Sequence, residues 1–277
     1  MSDVKLFEIS GDLSVVRQLP QQVDLDSITR QLPDGYYSTF RTYGGCTRVL
    51  GLTSHLRRLY DYVSTPAASA SALRHQLTRL LQSFCPDEAR VRVVMTGQGQ
   101  LYVAMEPLKP LPMDVYEKGV RVETTEIRRN TPRMKSTAFI SSSQGERAHL
   151  AQQGIFEALL VKNGTILEGM TSNFFYVLRQ DAASPYLRTS QRDILLGVTR
   201  RIVIRLARGR GVQVKFQPLK LDQLTALSES FITSSSRGVV PVTQIDNVTV
   251  GQGSPGPITS TLRLAYEDYV LKHAEKI

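Results

Sequence analysis

Glu168-Gly169-Met170-Thr171-Ser172-Asn173-Phe174-Phe175 is the stretch that decides the fold of this chain. It follows Asn163-Gly164-Thr165, a turn between two strand-like stretches, so Glu168 is expected where a strand begins. Upstream, Lys135 stands in Pro132-Arg133-Met134-Lys135-Ser136-Thr137. Either charged residue alone is typical of a solvated surface. A functional role for Lys135 and Glu168 can therefore be inferred only from the sequence pattern around both.

A lysine and a carboxylate are the two side chains that an enzyme needs to use pyridoxal phosphate. The amine can hold the cofactor aldehyde as an imine, and the carboxylate can keep the ring nitrogen protonated so that the ring accepts electrons. Lys135 and Glu168 therefore predict pyridoxal 5'-phosphate as the cofactor.

The E-G-x-x-S-N-x-F run resembles the signature of the class IV, or fold type IV, pyridoxal-phosphate enzymes. These include branched-chain aminotransferases, D-amino-acid aminotransferases and aminodeoxychorismate lyases. Further similar segments occur in order along nearly the whole chain: Gly35 to Arg41, Ser54 to Leu59, Leu195 to Arg200, Thr233 to Ser236, and Pro241-Val242.

The chain alternates strand-like and helix-like segments, which predicts an α/β or α+β fold. Pro107, Pro110 and Pro112 cannot continue a helix or a central strand and predict a linker. We place the domain boundary there, at residues 1–112 and 113–277. The resemblance implies a small N-terminal α/β domain, a larger C-terminal pseudo-barrel domain, the cofactor in the cleft between domains, and a homodimer.

Apolar periodicity predicts the main elements. Helices are expected at 24–31, 70–84, 144–153, 197–207 and 259–273, strands at 120–122, 158–161, 174–177, 212–214 and 230–232, and a hairpin of 91–95 with 101–105.

The resemblance gives Lys135 and Glu168 their roles. Lys135 is expected to form the internal aldimine and then to move the Cα proton, and Glu168 to face the pyridine nitrogen. Ser172 and Asn173 are expected to complete the cofactor site by orienting this loop, although both residue types also suit an ordinary polar turn.

Three segments are expected to hold the phosphate. Ser54 is expected to cap a helix whose apolar stripe is Leu56, Leu59, Tyr60 and Val63, leaving His55 and Arg58 on another face. The family's H-x-x-R-L spacing selects Arg58 as the phosphate-binding arginine and leaves Arg57 exposed to solvent.

The second and third phosphate segments lie later in the chain. Val198 and Thr199 open a helix whose N–H groups would bind an anion, unless Asp193 or Gly197 merely caps it. Ser235 resembles the family position that contacts phosphate, and Ser236 resembles the one whose amide faces the substrate carboxylate.

Substrate-binding roles are expected for Tyr37, Arg41 and Ser236, with Arg133 as an alternative to Arg41 for the carboxylate. Four departures from the family pattern leave the substrate open: one from the branched-chain enzymes at Ile140, one from the D-amino-acid enzymes at Met95-Thr96-Gly97, and two from family members in general, at Ser38 and Ala138-Phe139.

Composition limits the alternatives. The 277 residues are 41% hydrophobic and carry a net charge of +9. The charge is diffuse, which favours a basic surface that attracts anionic substrates over a nucleic-acid site. Cys46 and Cys85 are expected to be buried thiols, the four histidines lack metal-ligand spacing, and no apolar run is long enough to span a membrane. We expect a cytoplasmic enzyme without metal, nucleic-acid or membrane partners.

A glycine pattern near the end of the chain is a candidate dinucleotide site. Gly251-Gln252-Gly253-Ser254-Pro255-Gly256 satisfies G-x-G-x-x-G, but the chain that remains is too short for a second strand with an acidic ribose partner. We expect a plain loop that enters the last helix.

The sequence therefore predicts an aminotransferase that moves an amino group between an amino acid and a 2-oxo acid through Lys135. Two alternatives stay open at this point: a lyase that releases pyruvate, like aminodeoxychorismate lyase, and a binding protein on the same fold without catalytic activity.

Overall fold

The computed structural model describes residues 4–19, 23–179 and 185–277. The chain forms two compact units. The first contains the described residues up to Lys109 together with Met134–Ser142 and Val270–Ile277, and the second contains Pro110–Arg133 and Ser143–Tyr269.

An antiparallel seven-stranded sheet forms the first unit, in the order β17-β4-β3-β5-β6-β1-β2. Its strands are β1 (Lys5–Ser10), β2 (Leu13–Arg17), β3 (Gly35–Tyr43), β4 (Arg48–Val49), β5 (Ala89–Thr96), β6 (Leu101–Pro107) and β17 (Glu275–Lys276). Buried apolar side chains of β3, β5 and β6 form its core with those of two helices, α2 (Leu52–Tyr60) and α3 (Ala70–Leu81).

Local signals explain why these elements form. Helix α1 (Leu25–Gln31) begins with a capping box in which Asp24 accepts from the Ser27 N–H at 2.6 Å. Ser69 caps α3 by accepting from the Ala72 N–H at 3.1 Å. The β5–β6 hairpin turns through Gly99, whose φ of +90° and close approach to the Thr65 carbonyl exclude a side chain.

A mixed ten-stranded sheet forms the second unit, in the order β12-β11-β10-β14-β15-β7-β8-β9-β13, with β16 paired to β15. Its strands are β7 (Val120–Thr125), β8 (Glu157–Lys162), β9 (Thr165–Gly169), β10 (Asn173–Leu178), β11 (Tyr186–Thr189), β12 (Gln213–Phe216), β13 (Leu219–Lys220), β14 (Leu227–Ser234), β15 (Gly238–Ile245) and β16 (Val248–Thr249). The pairs β11–β12, β15–β7 and β7–β8 are parallel, and the other pairs are antiparallel.

The remaining helices are α4 (Met113–Lys118), α5 (Ala138–Ser142), α6 (Gln144–Gln153), α7 (Val198–Arg208) and α8 (Pro257–His273), with a short 3₁₀ helix at Leu221–Ala226. Helix α7 buries Ile202, Val203 and Ala207, and Gly209 is its C-cap. Its apolar stripe has the helical spacing that the sequence predicted.

The predicted mixture of helices and strands is confirmed, including α6, α7, α8 and the β5–β6 hairpin. The compact units follow the chain differently from the predicted domains 1–112 and 113–277, because Met134–Ser142 and Val270–Ile277 belong to the first unit. The prolines at 107–112 end β6 and precede α4, as expected of a linker.

The predicted start of α2 is wrong. The helix begins at Leu52, its N-cap is Gly51 in the left-handed region, and no side chain caps it. Ser54 lies inside the helix and Val63 lies beyond its end. A left-handed glycine starts a helix without any polar cap signal, which is why the serine was misleading.

The two thiols differ, and the expectation that both are buried is wrong for Cys85. Cys85 is exposed in the turn after α3, whereas Cys46 is 3% exposed, and burial raises the pKa of the Cys46 thiol to about 11.

We expect one thiol per native chain to react with a thiol reagent at pH 8, and the second only after unfolding, because the thiolate is the reactive form. Cys85→Ser should remove the native reaction, and equally fast reaction of both thiols would contradict this assignment.

The glycine pattern at 251–256 is the loop that enters α8, as predicted. The buried Glu229 carboxylate accepts from the Ile258 and Thr259 N–H groups and from the Thr259 hydroxyl. A protein carboxylate thus occupies the helix terminus that would have to hold a dinucleotide phosphate.

Within the described residues, no helix is both long and apolar enough to cross a membrane. The same part of the chain contains no group of three or more His, Cys, Asp or Glu side chains that could hold a metal ion. The predicted cytoplasmic location stays a prediction.

Candidate active site

Lys135 is positioned in the first unit by backbone pairing with the start of β3. Its carbonyl accepts from the Tyr37 N–H at 2.8 Å, and two residues later the Thr137 N–H donates to the Gly35 carbonyl at 2.9 Å. The Gly35 N–H in turn donates to the Thr137 hydroxyl at 2.9 Å. The lysine backbone is therefore held on both sides, independently of its side chain.

The Lys135 amine lies over an aromatic ring. Its Nζ is 4.7 Å from the centroid of the Tyr37 ring, and the Arg92 guanidinium carbon is 4.8 Å from the same centroid. Arg92 is anchored by an ion pair of 2.7 Å with Asp26. The electron-rich faces of the buried Tyr37 ring attract both cations, so the ring directs the half-buried lysine side chain.

The two neighbouring arginines of helix α2 differ in exposure. The Arg57 side chain is 81% exposed, which confirms the solvent position expected for it, whereas Arg58 is half-buried. His55, which was expected on a different face from the apolar stripe, is buried, and its Nδ1 lies 2.8 Å from the Ser38 hydroxyl. The small Ser38 makes room for this contact, which gives one departure from the family pattern a structural role.

The two candidate carboxylate-binding arginines have different surroundings. Arg41 is four residues beyond Tyr37 on β3, about 13 Å along the strand, with its guanidinium over the Tyr43 ring. Arg133 is exposed and belongs to the second unit, where it donates to the Gln191 carbonyl at 2.7 Å. Their substrate roles stay predictions.

The Glu168 carboxylate of the second unit is 2% exposed and surrounded by donors. Its Oε2 accepts from the Leu195 N–H and the Asn173 amide, each at 3.0 Å, and its Oε1 lies 3.1 Å from Nε of Arg129. The Arg129 side chain is 5% exposed. The nearby guanidinium and the two N–H donors offset the cost of burying this carboxylate.

The motif loop differs from the prediction in one respect. Glu168 is the fourth residue of β9, near its end rather than its beginning, because β9 already starts at Thr165 directly after the turn. The Asn173 amide donates to Glu168 Oε2 at 3.0 Å and to the Leu195 carbonyl at 2.7 Å, contacts that are compatible with the expected role in orienting the loop. The Ser172 hydroxyl is buried and has no hydrogen-bond partner among the described residues.

Hydroxyl groups gather at the first turn of α7. Gly197 holds the N-cap position, but no side chain caps the helix. The Thr199 hydroxyl lies 3.5 Å from the Ser235 hydroxyl and 3.5 Å from that of Tyr266. Both separations exceed the usual hydroxyl hydrogen-bond length, so these contacts leave room for a stronger acceptor such as a phosphate oxygen.

Two residues of the second unit that contact predicted site residues were missed by sequence reasoning: Arg129 and Tyr266. Arg129 was recognised only as half of a basic pair with Arg128, and nothing in the sequence connects it to Glu168. Tyr266 lies on the buried side of α8, and only helical periodicity could have indicated that it points inward.

A cavity of about 530 Å³ lies elsewhere in the first unit. It is lined by residues of β1, β2 and α3, among them Phe7, Val16 and Leu80. No predicted site residue lines this cavity, so we do not associate it with Lys135.

Comparison with known proteins decides the family. The sequence profile of the amino-transferase class IV family matches residues 35–245. The chain belongs to this family. It is therefore an enzyme, which removes the catalytically silent binding protein as an alternative, and the predicted class IV relationship is confirmed.

Relatives of this class IV enzyme fall into all three groups that the sequence suggested. A putative branched-chain-amino-acid aminotransferase of Methanocaldococcus jannaschii is 30% identical over 267 residues, covering 88% of this chain and 90% of that one. A D-alanine aminotransferase of Bacillus licheniformis is 26% identical, covering 92% and 94%. An aminodeoxychorismate lyase of Bacillus subtilis is 28% identical, covering 84% of each.

Solved structures of class IV enzymes share the fold. A putative branched-chain amino acid aminotransferase from Thermotoga maritima superposes with a TM-score of 0.77, at 26% identity, over 97% of this chain and 96% of that one. A hypothetical aminotransferase from Mycobacterium tuberculosis, solved in a PLP-bound form, gives 0.74 at 19% identity over 97% and 99%. The predicted α+β fold of type IV is confirmed.

The residues of this class IV enzyme fit the cofactor on which the family depends. Glu168 is a buried and charge-balanced carboxylate suited to a protonated ring nitrogen. The first turn of α7, with the hydroxyls of Thr199 and Ser235, suits a phosphate. The partnerless Ser172 hydroxyl adds a polar atom that the described part of the protein leaves unsatisfied.

Proposed function

We propose that this enzyme uses pyridoxal phosphate to transfer an amino group between an amino acid and a 2-oxo acid. The observation that carries the proposal is the buried Glu168 carboxylate with its Arg129, Asn173 and Leu195 partners. When bound, pyridoxal phosphate supplies an aldehyde that takes up amino groups and a ring that accepts electrons.

Lys135 is the proposed acid and base of the reaction. Its Nζ would take the proton from the substrate Cα and deliver it to the C4′ atom of the cofactor, a task that needs an amine held in one place. Backbone pairing with Gly35 and Tyr37 fixes the lysine main chain, and the Tyr37 ring directs the amine. These contacts support the role without requiring any movement of the backbone.

Anion binding is divided among several groups in the proposal. The N–H groups of Val198 and Thr199 and the hydroxyls of Thr199 and Ser235 would bind the phosphate, with Arg58 supplying a full positive charge. The Ser236 N–H would bind the substrate carboxylate. Glu168 would hold the ring nitrogen through one charged contact. Ser172 and Asn173 would orient the loop that carries Glu168.

A panel of amino donors tests the proposal. Protein loaded with pyridoxal phosphate is incubated with L- and D-amino acids, and conversion of the aldehyde form to the amine form is followed by absorbance. We expect at least one donor to convert the cofactor and 2-oxoglutarate to reverse the change. Absence of conversion by every donor, in protein that binds the cofactor, would count against transamination.

A pyruvate-releasing lyase is the second candidate, favoured by the similarity to the aminodeoxychorismate lyase of Bacillus subtilis. It would use Lys135 and Glu168 in the same way but would not transfer nitrogen to 2-oxoglutarate. Release of pyruvate from aminodeoxychorismate, without transfer of nitrogen to 2-oxoglutarate to form glutamate, would favour the lyase.

A homodimer is also proposed, on the family resemblance alone. Light scattering that gives twice the mass of one chain at micromolar concentration would support it, and the mass of a single chain would not.

A further inference from the structure

A buried ion pair in the second unit lies next to both cofactor segments and has no role in the function proposed above. Glu157, the first residue of β8, has a side chain that is 2% exposed. One of its oxygens, Oε2, accepts from Nη2 of Arg237 at 2.9 Å. Arg237 follows the serine run that contains Ser235 and is 21% exposed.

The same guanidinium contacts both segments. Its Nη2 also donates to the Thr171 hydroxyl at 2.6 Å, and its Nε donates to the Ser234 hydroxyl at 3.1 Å. Thr171 belongs to the loop between Glu168 and Asn173, and it donates its own hydroxyl to Glu157. Arg237 is thus hydrogen-bonded to the loop that follows Glu168, to the segment that contains Ser235, and to the first residue of β8.

Charge makes this arrangement rigid. A carboxylate that has lost its water is stable only while a cation stays within hydrogen-bonding distance. The planar arginine fork fixes the direction of each bond, which a lysine could not do. The main chain at Arg237 is held as well, since its carbonyl accepts from the Tyr116 hydroxyl at 2.9 Å. Neither loop can shift alone without breaking the bonds to Glu157.

We propose that Arg237, together with Glu157, is a positioning residue that holds the Glu168 loop and the Ser235 loop at one separation. The inference rests on the proposed function, because it concerns a ligand whose ring binds one loop and whose phosphate binds the other. A ligand with two binding ends gains most when its two sites are fixed at the matching distance. Arg237 contributes that fixed distance.

Binding of whole and divided ligands tests the proposal. Dissociation constants of pyridoxal phosphate, pyridoxal and inorganic phosphate are measured by calorimetry for the native enzyme and for Arg237→Gln. We expect the constant for pyridoxal phosphate to rise about tenfold, a change of about 1.4 kcal/mol, while those for pyridoxal and phosphate change less than about twofold. Equal weakening of all three ligands would indicate general damage and would overturn the proposal, as would unchanged binding of pyridoxal phosphate.

A matched control and a milder variant complete the experiment. Arg121→Gln breaks a surface ion pair in which Arg121 is 46% exposed and Glu123 is 24% exposed. This change should alter none of the three dissociation constants. If Arg237→Gln does not fold, Thr171→Val keeps the buried ion pair and removes one bridge. It should weaken pyridoxal phosphate severalfold and spare the fragments, and a lack of this selectivity would overturn the proposal. Failure of the native enzyme to bind pyridoxal phosphate would instead overturn the proposed function.

Discussion

Lys135→Ala is expected to reduce the rate of amino transfer by about 10³-fold or more, because it removes both the amine that holds the cofactor and the base that moves the Cα proton. The fold should survive the change. The backbone of this segment is held by main-chain bonds to Gly35 and Tyr37 that do not involve the lysine side chain. The half-buried amine itself rests on a ring face, a contact of modest energy.

The measurement combines a steady-state assay with cofactor absorbance and thermal unfolding. We expect Lys135→Ala to lose the absorbance of the lysine-bound cofactor while its melting temperature stays within a few degrees of the native value. Lys118→Ala is the matched control, since that lysine is 77% exposed and pairs with Asp114 on the surface of α4. Native activity in Lys135→Ala would refute the assignment of the lysine.

Glu168→Gln should lower kcat by about 10²-fold or more, even when the cofactor is saturating. Glutamine has the same shape, but it cannot balance the charge of a protonated ring nitrogen, and that charge is what makes the ring accept electrons. The change also leaves Arg129 buried without its carboxylate. Removing one partner of a buried pair costs roughly 3 kcal/mol, so the free energy of unfolding should fall as well.

These two effects can be separated. Glu168→Asp keeps the charge and should recover part of the activity that Glu168→Gln loses, although its shorter side chain reaches Leu195 and Asn173 less well. Glu267→Gln, which breaks the pair of the 50% exposed Glu267 with Arg263 on α8, serves as the control and should change neither quantity measurably. Full activity in Glu168→Gln, or activity loss explained wholly by unfolding, would contradict the role proposed for the carboxylate.

Local elements were predictable because their causes are local. The stripe of α7 and the β5–β6 hairpin follow from side-chain period and turn residues within a few positions. The start of α2 was not predictable, since Gly51 gives no cap signal and the burial of His55 depends on Ser38, which lies on β3. The exposure of Cys85 likewise depends on what packs against its turn.

The candidate site divides in the same way. The roles proposed for Lys135 and Glu168 come from residue type and motif, because imine chemistry and ring protonation admit few other side chains. Arg129 and Arg237 could not be identified, since an arginine in the sequence gives no sign of which carboxylate it will pair with. The family's H-x-x-R-L spacing was needed to select Arg58 rather than Arg57 as the candidate phosphate-binding arginine. The solvent exposure of Arg57 agrees with that selection.

By itself the sequence determined the family, the cofactor on which the family depends, and several helices and strands such as α7 and the β5–β6 hairpin. Only the tertiary structure decided which charges are buried together, as in Arg129 with Glu168 and Arg237 with Glu157. The physical reason is one of range. Hydrogen bonding within helices and turns connects neighbours in sequence, whereas desolvation and ion pairing depend on the complete packing of distant segments.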